Sequence, residues 1–436
     1  MRGPEIDFST RRSRLCKELL DGSVAIVGSA SSQYRNADSE FPFRQDSNFY
    51  YLSGFDEPES IIVLRPFAKD KKFIIFCRDR DPLKEQWDGF RSGQEGAIED
   101  FGADEAYSIS LADELIPSLI EGASNVYYSM SSPNGINLKI EGWLNQIRTN
   151  SRQGSEVPEN LLSLDLIIDE LRLLKTQDEL SLMRKAGEIT CEAHIKAMEK
   201  VSPGMFEYQL EAEYLYTFIN GGARFPAYNS IVGGGNNACI LHYKENNSQL
   251  NQGDLVLVDA GCEYDHYASD VTRTFPVGKK FSDEQKTIYE IVLEAHKQVC
   301  NEIKPGNSWD IIHNKSIQVI TEGLIDIGIL KGNSSDLIKT GEYSKYYMHR
   351  VGHWLGMDVH DVGNYKKSGK WRELEPNMVL TVEPGIYILD SLEGIEEKWL
   401  GIGIRVEDDL LVTEKGCEIL SSKAPREIKE IENLKS

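Results

Sequence analysis

Cysteine is sparse in this sequence and carries no pattern. Seven occur among 436 residues, at positions 16, 77, 191, 239, 262, 300 and 417, with no Cys-x-x-Cys pair. An odd, scattered set excludes a disulfide framework and a thiolate zinc site, and fits free thiols in a reducing cytoplasm. Positive charge is also short: 48 Lys and Arg face 70 Asp and Glu, a net charge of −22. Such a field repels phosphate backbones, which excludes nucleic acid as a main partner. No apolar run approaches the ~18 residues of a membrane span, and Met1–Arg14 lacks the apolar core of a secretion signal. No repeat recurs at a solenoid period. Gly233-Gly-Gly235 is not followed by the Lys-Ser or Lys-Thr of a phosphate loop. A small or cationic ligand, a metal ion or another protein remains open as partner.

The chain exceeds the ~250–300 residues at which single cores stop growing, so two domains are expected. Its first half reads as mixed α/β: Val24–Val27, Ile61–Leu64 and Phe73–Cys77 are apolar runs of strand length, bounded by turn formers. Ser129–Asn137 reads as a loop, Asn150–Asn160 as a surface connection near the domain boundary, and Arg11–Arg14 as one face of a helix. Farther on, Thr176-Gln-Asp-Glu179 and Ser282-x-x-Gln285 are capping boxes that open helices, the first stopped by Ser202-Pro203-Gly204. Leu255–Ala260, Asp270–Phe275, Val379–Glu383 and Gly403–Leu411 read as strands. Gly233–Gly235 reads as a flexible loop and Glu427–Ser436 as a solvated or frayed tail.

Histidines number eight, yet three fall in Tyr347-Met-His349-Arg-Val-Gly-His353-Trp-Leu-Gly-Met-Asp-Val-His360. The spacing is not His-Glu-x-x-His, which excludes a helical zinc protease. Carboxylates stand where apolar strands end. Asp259 closes Leu255-Val-Leu-Val, in phase with Leu255 and Leu257. Asp270 opens the next strand, and Gly261–Ser269 is long enough to fold the two into an antiparallel hairpin that brings both aspartates together. Glu383 ends Val379-Leu-Thr-Val; Glu407 follows Ile404-Arg-Val, with Arg405 on its face. One such acid is ordinarily a solvated surface group; four at buried strand ends require a cation. Four negative charges match two divalent ions, and oxygen-rich ligands with one imidazole favour manganese or another hard ion. Two such ions can deprotonate a bridging water and polarise a carbonyl, which is hydrolase chemistry.

Val258-Asp-Ala-Gly261, Asp270-Val-Thr-Arg-Thr274, His353-Trp-Leu-Gly-Met-Asp-Val-His360-Asp361, Thr381-Val-Glu-Pro-Gly-Ile-Tyr387 and Gly403-Ile-Arg-Val-Glu-Asp408 together resemble the metallopeptidase family of aminopeptidase P and prolidase. Phe41-Pro-Phe-Arg-Gln-Asp-Ser-Asn-Phe-Tyr-Tyr-Leu-Ser-Gly54 resembles the N-terminal domain of bacterial aminopeptidase P. The resemblance implies an α/β chain in two domains, a mixed α/β domain over 1–172 and a pita-bread catalytic domain over 173–436. It implies metal ligation by Asp259, Asp270, His353, Glu383 and Glu407, with Asp270 and Glu407 bridging two ions, typically Mn²⁺. Glu383 would also move the proton of the attacking water. His242, His349 and His360 would contact the scissile peptide and stabilise its oxyanion, and Arg405 would orient carboxylates. The implied activity is release of the N-terminal residue from peptides with proline second. Prolidase, confined to Xaa-Pro dipeptides, and an inactive binding protein of the same fold are the alternatives. A homo-oligomer, dimer or tetramer, is also implied, with Asp38 and Trp87 bordering a neighbouring active site. One departure from the family pattern is Arg350, where a small residue is common. It predicts a narrowed pocket or an altered preference beyond the scissile bond.

Overall fold

The computed structural model describes residues 6–130 and 134–435. The chain divides into two compact units, Ile6–Leu171 and a second from Arg172 onward. Residues 1–5 of the leading segment, 131–133 of the predicted loop Ser129–Asn137 and the last residue of the predicted tail lie outside the described residues.

In the first unit the three apolar runs become neighbouring strands. Ser23–Gly28, Ile61–Leu64 and Phe73–Cys77 pair antiparallel and are buried along their whole length. Asn125–Tyr128, Asn160–Ser163 and Glu105–Ser108 add parallel neighbours, completing a six-stranded mixed sheet. Burial on both faces is why these runs are continuously apolar and do not alternate. The Asn150–Asn160 connection lies inside this unit, since it leads into the edge strand Asn160–Ser163. Turn residues mark a loop without saying what it joins. Arg11 and Arg12, on the helix Phe8–Glu18, turn inward, their guanidiniums 4.3 Å from the Tyr51 ring and 3.9 Å from the Phe73 ring.

In the second unit both capping boxes form. Thr176 exchanges bonds with Glu179 at the start of Gln177–Lys200, and Ser282 with Gln285 at the start of Asp283–Glu302. Leu255–Asp259 is the middle strand between Ile231–Gly234 and Thr272–Pro276, with Asp259 opposite Thr272. The predicted flexible Gly233–Gly235 loop is therefore largely strand. A Cβ on Gly233 would meet Asn237 O at 2.8 Å, so glycine serves close approach there and not mobility.

The expected strand Gly403–Leu411 is interrupted. Ile402–Arg405 pairs with Gly385–Ile388, and Asp408–Val412 pairs with Val379–Val382. The register is the same on both sides, since Val382 faces Asp408 and Gly385 faces Arg405. Glu383 and Pro384 thus fall opposite Glu407 and Val406, at a level where proline has no ladder donor to offer. The ladder opens there, and the two glutamates occupy the opening. The predicted tail is also structured: Ile428–Leu434 is a helix, Ile431 is fully buried, and Ile428 and Leu434 pack on the same core. Its apolar residues, three apart, decide the outcome over its charges.

Candidate metal centre

The strand ends converge. Donor atoms of Asp270, His353 and Glu407 lie within 4.8 Å of one another. His353 Nε2 is 3.3 Å from Asp270 Oδ2 and 3.8 Å from Glu383 Oε1. The Tyr228 hydroxyl lies 2.5 Å from both Asp259 Oδ1 and Asp270 Oδ1, although its single proton satisfies only one of them. Backbone pairing sets His353 in place. Glu383 N donates to Val351 O at 2.8 Å and Thr381 N to His353 O at 2.9 Å, so Val351–His353 runs beside the Glu383 strand. Glycine makes that approach possible, because a Cβ on Gly352 would lie 2.0 Å from Thr381 O. Gly261, between the two aspartates, is constrained likewise, with Ser269 O at 1.7 Å from its would-be Cβ.

Electrostatics mark a surplus of negative charge. Burial first, then neighbouring carboxylates, push Glu383 up to about 7 and Glu407 well above the usual carboxylate range. Burial raises Asp259 despite Arg405. Asp270 is the exception: burial would raise it, but the hydrogen bond and charge of His353 hold it low. Burial would in turn lower His353, yet Asp270 and Glu383 outweigh it and raise the imidazole to about 9. Its Nδ1 lies 3.0 Å from Trp354 O. With Nδ1–H bonded to that carbonyl, the proton a cation displaces is the one on Nε2, and its loss leaves the Nε2 lone pair facing the carboxylates, the tautomer a metal ligand needs. Oxygen donors in excess, one correctly oriented imidazole and uncompensated charge fit a divalent cation.

A hydrogen-bonded chain surrounds this cluster. Arg405 reaches Asp259 Oδ2 at 2.5 Å, Thr272 Oγ1 at 3.0 Å and the Tyr387 hydroxyl at 3.0 Å. The Thr272 hydroxyl donates to Glu407 Oε2 at 2.5 Å. Tyr387, having accepted from Arg405, donates to His349 Nε2 at 2.9 Å, and His349 Nδ1–H then bonds Arg350 O at 2.7 Å. Burial, then Arg405, lowers His349 to about 3, so the ring is neutral. Both its nitrogens are engaged within the protein, and in this conformation neither is free for a peptide oxyanion. His242 and His360 are exposed and make no hydrogen bond to protein among the described residues. The His360 ring sits 4.3 Å from that of His353, and His242 acts electrostatically on both His349 and His360. Sequence reasoning missed Tyr228, Thr272 and the linking role of Tyr387. Thr272 and Tyr387 stand inside the Asp270 and Glu383 motifs, where phase with the acid is a usable signal; Tyr228 had none.

Residues 181–414 match the family model of Metallopeptidase family M24, and residues 8–127 that of Aminopeptidase P, N-terminal domain. The chain is similar to the Xaa-Pro aminopeptidase of Haemophilus influenzae, 45% identical over 99% of this chain and 97% of that protein. Among solved structures it is similar to an aminopeptidase of Pseudomonas aeruginosa, with 49% identity, a TM-score of 0.97, and coverage of 98% of this chain and 97% of that one. It is also similar to an Escherichia coli aminopeptidase P variant in complex with substrate, with 43% identity, a TM-score of 0.95 and the same coverage of 98% and 97%.

Proposed function

The chain belongs to metallopeptidase family M24 and carries an aminopeptidase P N-terminal domain, and from that premise we propose that it is a metal-dependent Xaa-Pro aminopeptidase. It releases the first residue of a peptide whose second residue is proline. The observation that carries this reading is the convergence of Asp270, His353 and Glu407, with Asp259 and Glu383 beside them.

In this reading Asp259, Asp270, His353, Glu383 and Glu407 would hold two divalent ions. When bound, the ions, Mn²⁺ for so oxygen-rich a donor set, supply Lewis acidity to the scissile carbonyl and the attacking water. Glu383 takes up that water's proton on its carboxylate. His242 and His360, with open ring nitrogens, donate to the peptide oxygen as negative charge builds on it. His349 and Arg405 position the others, coupled through Tyr387. A proline nitrogen brings no N–H into the site and its ring fixes φ, which lets a rigid pocket select it. Seven free thiols accord with a cytoplasmic setting. Trp87 and Phe90, 88% and 91% exposed, offer apolar surface for a homo-oligomer.

The test is hydrolysis of Arg-Pro-Pro and Gly-Pro by chelator-stripped protein, with and without Mn²⁺. Metal-dependent release of arginine from the tripeptide is expected. Cleavage of Gly-Pro alone would make the protein a prolidase, and two bound ions with no turnover of either peptide would leave a binding protein.

A further inference from the structure

Beside His349 the chain gathers positive charge that the reaction as described does not use. Arg350 is exposed, and its carbonyl receives the His349 Nδ1–H, so its backbone is tied to the site. Its guanidinium lies 5.8 Å from the centre of the Trp371 ring, and Lys366 Nζ lies 4.2 Å from the same centre. Trp371 and Lys366 face each other across the short hairpin Lys366–Lys367/Lys370–Trp371. Two cations therefore share one indole, with Lys370 next to it. In a chain of net charge −22 such cations ordinarily find carboxylates. Among the described residues none pairs with Arg350, Lys366 or Lys370, while the adjacent Arg372 is taken by Glu375 at 3.1 Å. The field of Arg350 also reaches His313, whose Nδ1 is buried without a hydrogen bond and which is lowered to about 4 by burial and then by Arg350.

Crowding like charges costs energy unless an anion joins them. A peptide bound for aminopeptidase cleavage is polar end to end. Its N-terminal ammonium suits the carboxylate cluster, and its C-terminal carboxylate lies downstream of the proline. We infer that Arg350 and Lys366 form a carboxylate-binding subsite for the leaving part of the peptide, so that substrates with an acidic group beyond the proline are preferred. This rests on the aminopeptidase reading. The anion has two possible sources, the C-terminal carboxylate of a short peptide or an Asp or Glu side chain.

The experiment compares kcat/KM at low ionic strength for Ala-Pro-Ala as free acid and amide, and for Ala-Pro-Ala-Asp-amide and Ala-Pro-Ala-Asn-amide. Wild-type, Mn²⁺-loaded protein is expected to favour the charged member of at least one pair by about three- to tenfold, mostly through KM, as exposed charge contacts allow. The pair that responds identifies the source. Salt at high concentration and the double variant Arg350→Ala/Lys366→Ala should each bring the ratio close to one, while Arg350→Lys retains part of it. Cleavage with a wild-type ratio of one, or a ratio unmoved in the double variant, overturns this inference and leaves the aminopeptidase reading standing. No cleavage of any of the four peptides overturns both.

Discussion

His194 offers a quantitative test of how the aspartate strands are braced. It lies buried in the helix Gln177–Lys200, with Nε2 3.0 Å from Val271 O and 3.3 Å from Ala260 O. Those residues directly follow Asp270 and Asp259. Tyr214 OH lies 2.9 Å from Nδ1, so a neutral ring donates from Nε2 to the carbonyls and accepts at Nδ1. Burial lowers this ring from 6.5 to about 3. Between those values the unfolded chain binds more protons than the folded one, and His194 therefore withdraws stability as pH falls below 6.5. From pH 7.5 to pH 5.0 the linkage amounts to about 2 kcal/mol. His194→Gln keeps a donor but cannot titrate. It should cost about 1–3 kcal/mol at pH 7.5 through poorer hydrogen bonds, yet lose about 2 kcal/mol less than wild type on acidification. Urea unfolding followed by tryptophan fluorescence, at both pH values and with saturating Mn²⁺, measures this. Trp309, Trp354, Trp371 and Trp399 share the unit of His194, and other titrations cancel in the difference. The same pH dependence in both proteins would refute the buried neutral ring.

Asp270→Ala and Glu407→Ala should each lose bound metal, read by elemental analysis, and lower kcat/KM at least on the order of a hundredfold; full activity in either would sink the ligand assignment. Gly352→Ala must push the Thr381 strand from a 2.0 Å clash, with an expected loss of more than about 3 kcal/mol and weaker metal affinity, checked by thermal unfolding and metal titration. Tyr387→Phe strips a partner from both Arg405 and His349 and should lower kcat about ten- to a hundredfold with metal content unchanged. A variant with wild-type kcat would make that link passive. Chelation should lower Tm by several degrees and added Mn²⁺ should restore it, because bound ions stabilise the folded state by mass action; a Tm indifferent to metal would count against the site.

Much of the catalytic unit was legible because its signals are local. The boxes at Thr176 and Ser282 need only four residues each, and an acid in phase with buried leucines betrays Asp259 without any knowledge of its neighbours. What escaped was set by residues distant in sequence. Nothing near Tyr228 announces that its hydroxyl reaches two aspartates. The neutral, doubly bonded state of His349 depends on Tyr387 and Arg405 arriving from other strands. Periodicity could propose a strand across Gly403–Leu411, but the opening at Val406 and Glu407 appears only when Pro384 and Glu383 are seen opposite them. The helix Ile428–Leu434 was hidden by its charges, although three spaced apolar residues were present to be read.

The run Glu407-Asp408-Asp409 shows where sequence reasoning must stop and what decides beyond it. The three acids are chemically alike, adjacent and buried. Burial would raise Asp408, but Arg273 at 2.7 Å, His296 at 3.1 Å and Arg426 at 3.0 Å hold it well below the usual carboxylate range. Asp409 receives the Asp270 backbone N–H at 3.1 Å, and burial beside Asp270 still raises it well above that range. Glu407 meets a threonine hydroxyl and three other carboxylates, which outweigh Arg405, and it too is raised. Asp408 is thus satisfied by the protein's own cations and is structural. Glu407 is left in debt to Asp270, Glu383 and Asp259, and only a charge from outside the chain can settle it. The candidate metal centre is the place where the fold's internal charge compensation runs out.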